Sequence, residues 1–502
     1  MILDTILALP FALTVIGAIV LMLLSFFPKI TWRDYNLIAV GFLGVAFVLE
    51  AIFLNVQIEH SYLYPQLFDK MFITDSFAVL FDMMFLGGAI LTLLINTHYF
   101  RSRDYYNGEF FAILLFAVFG MMMLSHANEL ITAFIALEIA SISIYILVGY
   151  KQSNIKSSEA MLKYIVLGAL AATFFIMGAA LIYGVVGSTY FGDIYAYIIA
   201  NSSNDMTMII AGLAFISVMI LFKIGAVPFH SWVVDVYQGA PFPVTMFMAA
   251  TFKIALFAVF LRLYLVDFVP FYDIFSQIFK AIAVVTMLGG SWLAISQTNL
   301  KRMLAGSSVV HAGYLMIALS SVGLGANFAA PAIVFYLISY FIGAVGAFGI
   351  LSYVAADKRK KLTFEDFKGF AEERPFIASM MTIFMLSLAG FPSTIGFLGK
   401  FYIFSSAIES GQIYLASLGI FIAFVSVFYY FKLIALMYFY PSKNEQEEFH
   451  LSISGFFIAL MAVITIWGGM GTSLLSFMPS ADTLIEIAHH AIAQLAGDIR
   501  GL

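Results

Sequence analysis

The sequence has no cysteine and little charge: among 502 residues there are 0 Cys, 12 Pro and only 11% Asp, Glu, Lys and Arg. Without thiols the chain forms no disulfide and ligates no iron–sulfur cluster or zinc ion through cysteine. Soluble domains carry about a quarter charged residues, so so few charges exclude that class. Lys and Arg number 24 against 29 Asp and Glu, a net charge of −5, and no basic patch marks a nucleic-acid partner. What is abundant is apolar: 63% of residues are hydrophobic and 17% aromatic. A helix needs ~20 mostly apolar residues to cross a bilayer, and such runs recur from end to end. The first, near 6–27, lacks the basic leader and small-residue cleavage site of a secretory signal and reads as a first span.

Fourteen spans are predicted, near 5–27, 36–56, 76–97, 108–125, 129–149, 160–187, 206–238, 241–265, 274–296, 301–323, 328–354, 375–408, 412–440 and 453–478. The expected fold class is therefore an all-α integral membrane protein. Spans seven and twelve are too long for one straight pass, and each is interrupted, by IGAVPF at 224–229 and by LAGFPSTIG at 388–396. Pro228 and Pro392 remove a backbone donor and clash with the preceding turn, so both spans are expected to be broken helices.

Loop charges test the count. Odd-numbered loops hold Lys29, Arg33, Arg101, Arg103, Lys151, Lys156, Lys301, Arg302, Lys358, Arg359, Lys360, Lys361, Lys368, Arg374 and Lys443. Even loops hold only Lys70, with Arg262 and Lys280 near the outer ends of spans eight and nine. That imbalance is the positive-inside pattern. It puts the odd loops in the cytoplasm and both termini on the other side. The loop at 356–375 is a charged connector, and the amphipathic tail at 480–502 is expected on the membrane surface or against a neighbour.

Five cations remain inside spans: Lys163, Lys223, Lys253, Lys400 and Lys432. A mid-span lysine costs ~3 kcal/mol on insertion scales, so each needs a partner or a use. The main acidic candidate is Glu138, about ten residues into span five and near the midplane. Lys223 lies at similar depth just before the break at Pro228. Broken helices expose backbone groups that hold water and ions in protein-lined cavities, so Lys223, the break and His230 together read as part of a hydrated path. His311, with Ser307, Ser308 and Tyr314 nearby, reads as a further member or as a satisfied core histidine.

Plainer roles stand beside these. Lys163 follows Glu159 at i−4 and is placed to pair with it or to snorkel. Lys432, set among aromatics, is as readily structural. Glu50 and Asp82, in spans two and three, read as buried polar contacts or as groups facing a partner subunit.

Spacing adds a second signal. Glu138 precedes Lys223 by 85 residues and His311 precedes Lys400 by 89, while the steps from Lys223 to Lys253 and from Lys400 to Lys432 are 30 and 32. Together with the two breaks, this predicts that spans four to eight repeat as spans nine to thirteen. A unit of five passes inverts on repetition, and inverted repeats with broken helices mark transporters. The chain then divides into an N-terminal segment (1–107), two repeats (108–265 and 266–440), and a last span with its tail (441–502). A proton path needs groups that change charge readily. Burial and a neighbouring carboxylate act oppositely on a lysine's hold on its proton, so moving Glu138 relative to Lys223 changes whether that proton stays. Arginine does not deprotonate in proteins, and none of the five is arginine. The line Lys223–Lys253–His311–Lys400 is the expected lateral relay.

The segments SSEAMLKYIVLGALAATFFIMGAALIYG (157–184), KIGAVPFHSWVVDVYQGAPFPVT (223–245), LKRMLAGSSVVHAGYLMI (300–317) and LAGFPSTIGFLGKFYIF (388–404) resemble the antiporter-like membrane subunits of respiratory complex I. DVYQGAP at 235–241 resembles the subunit N branch in particular. The likeness runs from about span three to span thirteen. It implies fourteen spans, inverted repeats, and proton translocation here coupled to quinone reduction elsewhere. It also implies that Glu138 and Lys223 pair, that Lys163 lies close to them, that Lys253 connects, and that Lys400 is on the exit side. The complex is expected to carry iron–sulfur clusters and to use quinone, with FMN where a flavin subunit is present. This chain itself is expected to hold no cofactor or metal. Expected partners are sister antiporter-like subunits and the lipid of a bacterial inner membrane. Asp82, His489 and His490 have no role in the resemblance. A cation/proton antiporter subunit without redox chemistry is the competing reading; a pump-derived scaffold is a weaker one, because a scaffold gains by losing buried charges.

Overall fold

The structure is a computed structural model describing residues 2–59, 66–151, 153–201, 205–324, 328–356, 362–442, 452–470 and 480–500. The basic cluster at 358–361, Lys443 and the far end of span fourteen lie outside the described residues. Among those described, 11 helices are long and apolar enough to cross a membrane. Three shorter apolar helices, Leu9–Leu24, Pro375–Ala389 and Ile453–Trp467, coincide with spans one, twelve and fourteen. Each predicted span thus has its helix. A further short helix, Phe191–Ala200, lies between spans six and seven and was not legible as an element in the sequence. A two-stranded antiparallel hairpin, Gln66–Leu67 with Phe72–Ile73, precedes span three.

Loop contacts respect the alternation of passes. Bridges from Phe72 to Ala127 and from Glu129 to Tyr190 tie together even loops. Asn299 bridges to Thr363, Arg103 donates to the Ala355 carbonyl, and the Gly369 N–H bonds the Leu436 carbonyl, all among odd loops and their adjoining helix ends. A missed or added pass would have mixed the two sets.

The core is central in sequence as well as in space. Spans eight (Phe242–Val266) and ten (Leu300–Ser321) are buried along almost their whole length and span eleven (Ala329–Ala355) nearly as much, whereas the apolar stretches of spans two, six and thirteen are only about one third buried or less. Every residue of the helix 300–321 except Arg302 is buried, so its polar members Ser307, Ser308 and His311 have no lipid or water to face and must find partners inside.

Both breaks form as expected and share one geometry. The helix of span seven ends at Ile224, where Gly225 is left-handed (φ 77°) and the Ala226 N–H returns to the Leu221 carbonyl at 2.9 Å. That of span twelve ends at Ala389, with Gly390 at φ 84° and the Phe391 N–H on the Leu386 carbonyl at 2.9 Å. Left-handed backbone is open to glycine without the Cβ clash, and these returning bonds satisfy end carbonyls. Helix resumes at Val233–Gly239 and Ile395–Glu409.

The tail helix, Ala481–Arg500, packs on its own chain, an arrangement not among those read from the sequence. Ala481, Ala488, Ala491 and Leu495 form its buried stripe, His489 meets the ring of Phe328, and Gln494 Oε1 accepts the Ser76 N–H at 2.6 Å. Its pattern shows that one face is apolar without showing which surface covers it.

Candidate functional site

Lys223 occupies the last turn before the first break and is 2% exposed. Its Nζ donates to Ser141 Oγ at 2.8 Å and Tyr145 OH at 2.7 Å, and lies 4.8 and 5.5 Å from the ring centres of Tyr145 and Tyr164. Both hydroxyls come from span five, three and seven residues after Glu138, so one helical face presents all three groups. Glu138 itself is half-buried, with Oε1 unpartnered. Glu138 and Lys223 are near enough to act on each other's charge but make no ion pair within 4.0 Å. The lysine is held by hydroxyls, and the carboxylate stands beside it.

Lys253 follows a π-helical turn, Met248–Phe252, in span eight. Such widened turns often occur at functional positions. Its Nζ donates to the Ser308 carbonyl at 2.7 Å and to Ser308 Oγ at 2.5 Å, with the Tyr340 ring centre 5.8 Å away.

From Ser308 the polar line continues along span ten. Ser307 Oγ and Tyr430 OH share a hydrogen bond, and Tyr430 OH lies 3.2 Å from His311 Nε2. His311 Nδ1 meets Tyr336 OH at 2.5 Å, and the Tyr340 ring lies 4.8 Å from the imidazole. A cavity of about 10 Å³, the lower limit for one water, is lined by His311, Tyr336, Ser339, Tyr340, Ser387, Leu388, Gly396 and Lys400. Lys400 closes the line. Its Nζ donates to the carbonyls of Leu388 and Ala389 at 2.9 and 2.8 Å, the last residues before the second break. The side chain crosses Gly390, where an added Cβ would come within 2.8 Å of Lys400 Cδ. Lys223 and Lys400 therefore approach the two breaks from opposite sides. The first precedes its break in sequence; the second follows and reaches back. Tyr314 joins here, its ring centre 5.2 Å from Lys400 Nζ.

Three other candidates stand apart. Lys163 points outward, 42% exposed, paired with Glu159 at 2.7 Å and Asp235 at 3.1 Å; no bond joins it to Glu138 or Lys223. Asp235 in turn pairs with Arg302 at 2.9 Å. Lys432 is exposed over the Phe364 ring. His230 sits half-buried just past Pro228 with Nδ1 unpartnered. Exposed pairs contribute ~0–1 kcal/mol, so Lys163→Ala is expected to leave stability within about 1 kcal/mol of the parent and to reduce proton translocation only in part. A complete loss in vesicle assays would show that Lys163 belongs with the buried line.

The groups not foreseen are the hydroxyls: Ser141, Tyr145, Tyr336, Tyr340 and Tyr430. The first two were readable from their spacing to Glu138; the others come from helices far apart in sequence. Among the described residues, no group of three His, Asp or Glu is placed to hold a metal ion.

Comparison with known proteins gives the family. The family model described as NADH:quinone oxidoreductase/Mrp antiporter, transmembrane region, matches residues 127–426, which is more than half of the chain and takes in every member of the polar line except the hydroxyl of Tyr430. The chain belongs to this family. Family relatives include the NADH-quinone oxidoreductase subunit N of Trichlorobacter lovleyi, 39% identical over 425 residues and 85% of each chain, and that of Rhodospirillum rubrum, 37% identical over 475 residues and 94% of each. A chain of respiratory complex I from Thermus thermophilus, solved with bound aureothin, matches with a TM-score of 0.77 at 27% identity, covering 93% of this chain and 98% of that one. The protein is a multi-pass subunit of a multi-subunit membrane assembly.

Proposed function

We propose that this chain is the subunit N of a bacterial NADH-quinone oxidoreductase and moves protons across the inner membrane, driven by quinone reduction in other subunits. The observation that carries the reading is three buried lysines at most 5% exposed, with no carboxylate bonded to them among the described residues: Lys223 on the hydroxyls of span five, Lys253 on Ser308, and Lys400 on a cavity that it shares with His311. Uncompensated cations at this depth are retained only with a use. Glu138 acts as the movable counter-charge of Lys223. Lys253 and His311 pass the proton laterally, and Lys400 at the second break delivers it. The odd loops, richer in Lys and Arg, face the cytoplasm. The iron–sulfur clusters, FMN and quinone site belong to partner subunits.

Because the family also includes Mrp antiporters, the test must separate redox pumping from cation exchange. The complex containing this chain is purified, reconstituted into vesicles and supplied with NADH and quinone. Proton uptake or release that follows quinone reduction and is indifferent to sodium is the expected result. Proton movement that requires a sodium gradient and no electron donor would replace this reading with the antiporter one.

A further inference from the structure

A second set of buried ionisable groups lies away from the lysine line, where spans two, three, four and eight meet near the even-loop surface. Asp82 is fully buried, about two turns into span three. Its Oδ1 accepts from Ser125 Oγ at 2.6 Å, and its Oδ2 lies 3.1 Å from His126 Nε2. The other ring nitrogen of His126, Nδ1, is 3.4 Å from Thr74 Oγ1, beside the start of the helix. Asp75 is separately neutralised: its Oδ1 accepts from Arg262 Nη2 at 2.9 Å and from the Ala78 N–H at 2.7 Å, and Arg262 Nε donates to the Ser125 carbonyl. Glu50 is the group without a match. It is 1% exposed, its Oε2 has no partner, and it is close enough to Asp82 for each to act on the other's charge.

Counting charge defines what the cluster needs. Arg262 balances Asp75. One histidine then faces two carboxyls, Asp82 and Glu50, inside a region where an uncompensated ion costs several kcal/mol. Neutrality requires a proton beyond the one that makes an Asp82–His126 ion pair. A cluster kept for packing alone has no reason to include the unbonded acid; leucine at position 50 fills the space without the desolvation cost.

We propose that Glu50, Asp82 and His126 form a proton-holding site near the even-loop surface, distinct from the lysine line, which exchanges its proton with that surface through the imidazole and Thr74. The transfer balances when water at the even-loop surface is the final acceptor: a proton accepted at Nε2 from Asp82 is matched by one released from Nδ1 to Thr74 Oγ1, whose own proton passes to that water, and the ring ends neutral with its tautomer reversed. The Phe11 ring, 4.9 Å from the imidazole, and the tail helix, anchored by Gln494 on Ser76, cover the site. The direction of net flow rests on the pumping reading; the presence of the proton does not.

Infrared difference spectroscopy on the purified complex at rest tests the site without turnover. The parent is expected to show the C=O stretch of a protonated carboxyl that shifts in D₂O, with that band lost in Glu50→Gln and in Asp82→Asn. Glu50→Gln removes only the unbonded acid and leaves the Asp82, Ser125 and His126 bonds in place, so it decides the matter even if Asp82→Asn fails to assemble. A spectrum that is the same in the parent and in Glu50→Gln overturns the proposal. So does a band that is lost in the variant but never exchanges with D₂O, because the site would then have no route to the surface. Either result is independent of whether the complex pumps.

Discussion

Replacing Lys223 with alanine is expected to lower proton translocation by about tenfold or more, since a positioned proton donor or acceptor contributes ~10²–10⁴-fold to transfer, while the complex still assembles. Assembly is spared because the change removes a buried cation whose hydrogen-bond partners among the described residues are two hydroxyls, Ser141 and Tyr145. These can turn toward each other or toward water, whereas loss of one member of a true ion pair would strand a charge. Glu138→Gln is expected to act in the same direction, because it removes the counter-charge without altering the Lys223 bonds. The measurement is vesicle acidification alongside quinone reductase rate. If both stay at the parent level in Lys223→Ala, the first break is not on the path.

Arg262→Met is expected to act on assembly instead. Arg262 is 2% exposed, and it neutralises Asp75 while holding the Ser125 carbonyl. Breaking a buried pair by removing one partner costs about 3–5 kcal/mol, a large share of the ~5–15 kcal/mol that separates most native folds from unfolding. Intact complex on native gels should fall sharply and its thermal midpoint should drop. The double variant Asp75→Asn with Arg262→Met should recover part of both, since no uncompensated charge is then buried. Parent-level assembly of the single variant would mean that Asp75 has another source of neutralisation.

The contrast between these two residues shows what the sequence discloses. The spans were legible because their apolar runs are long, and the breaks because glycine and proline act locally. Loop charge gave the alternation that loop contacts later matched. Arg262, though, reads in sequence as a charge at the outer end of span eight; its partner Asp75 is 187 residues away, and no local pattern foretells that pairing. Lys163 shows the reverse. Its i−4 neighbour Glu159 was visible, and the structure adds Asp235 from beyond the first break. At Lys400 the partners are backbone carbonyls, which no side-chain reading reveals. Sequence located the ionisable groups. It placed Ser307, Ser308 and Tyr314 beside His311 but did not identify Ser141, Tyr145, Tyr336, Tyr340 and Tyr430, because those join the site only when spans five, ten, eleven and thirteen are packed.

The π-turn at Met248–Phe252 sets a limit of another kind. It carries one residue more than an ordinary turn, and each residue of an α-helix advances about 100° around the axis. An inserted or deleted residue in the regular helix on either side, which has no wide turn to absorb it, would rotate the segment from Phe242 onward by that angle relative to Lys253. Either the lysine would leave Ser308 or the DVYQGAP end would lose its seat. Along this stretch the number of residues is as much a functional property as their identity, so substitutions should be tolerated more readily than a change in length.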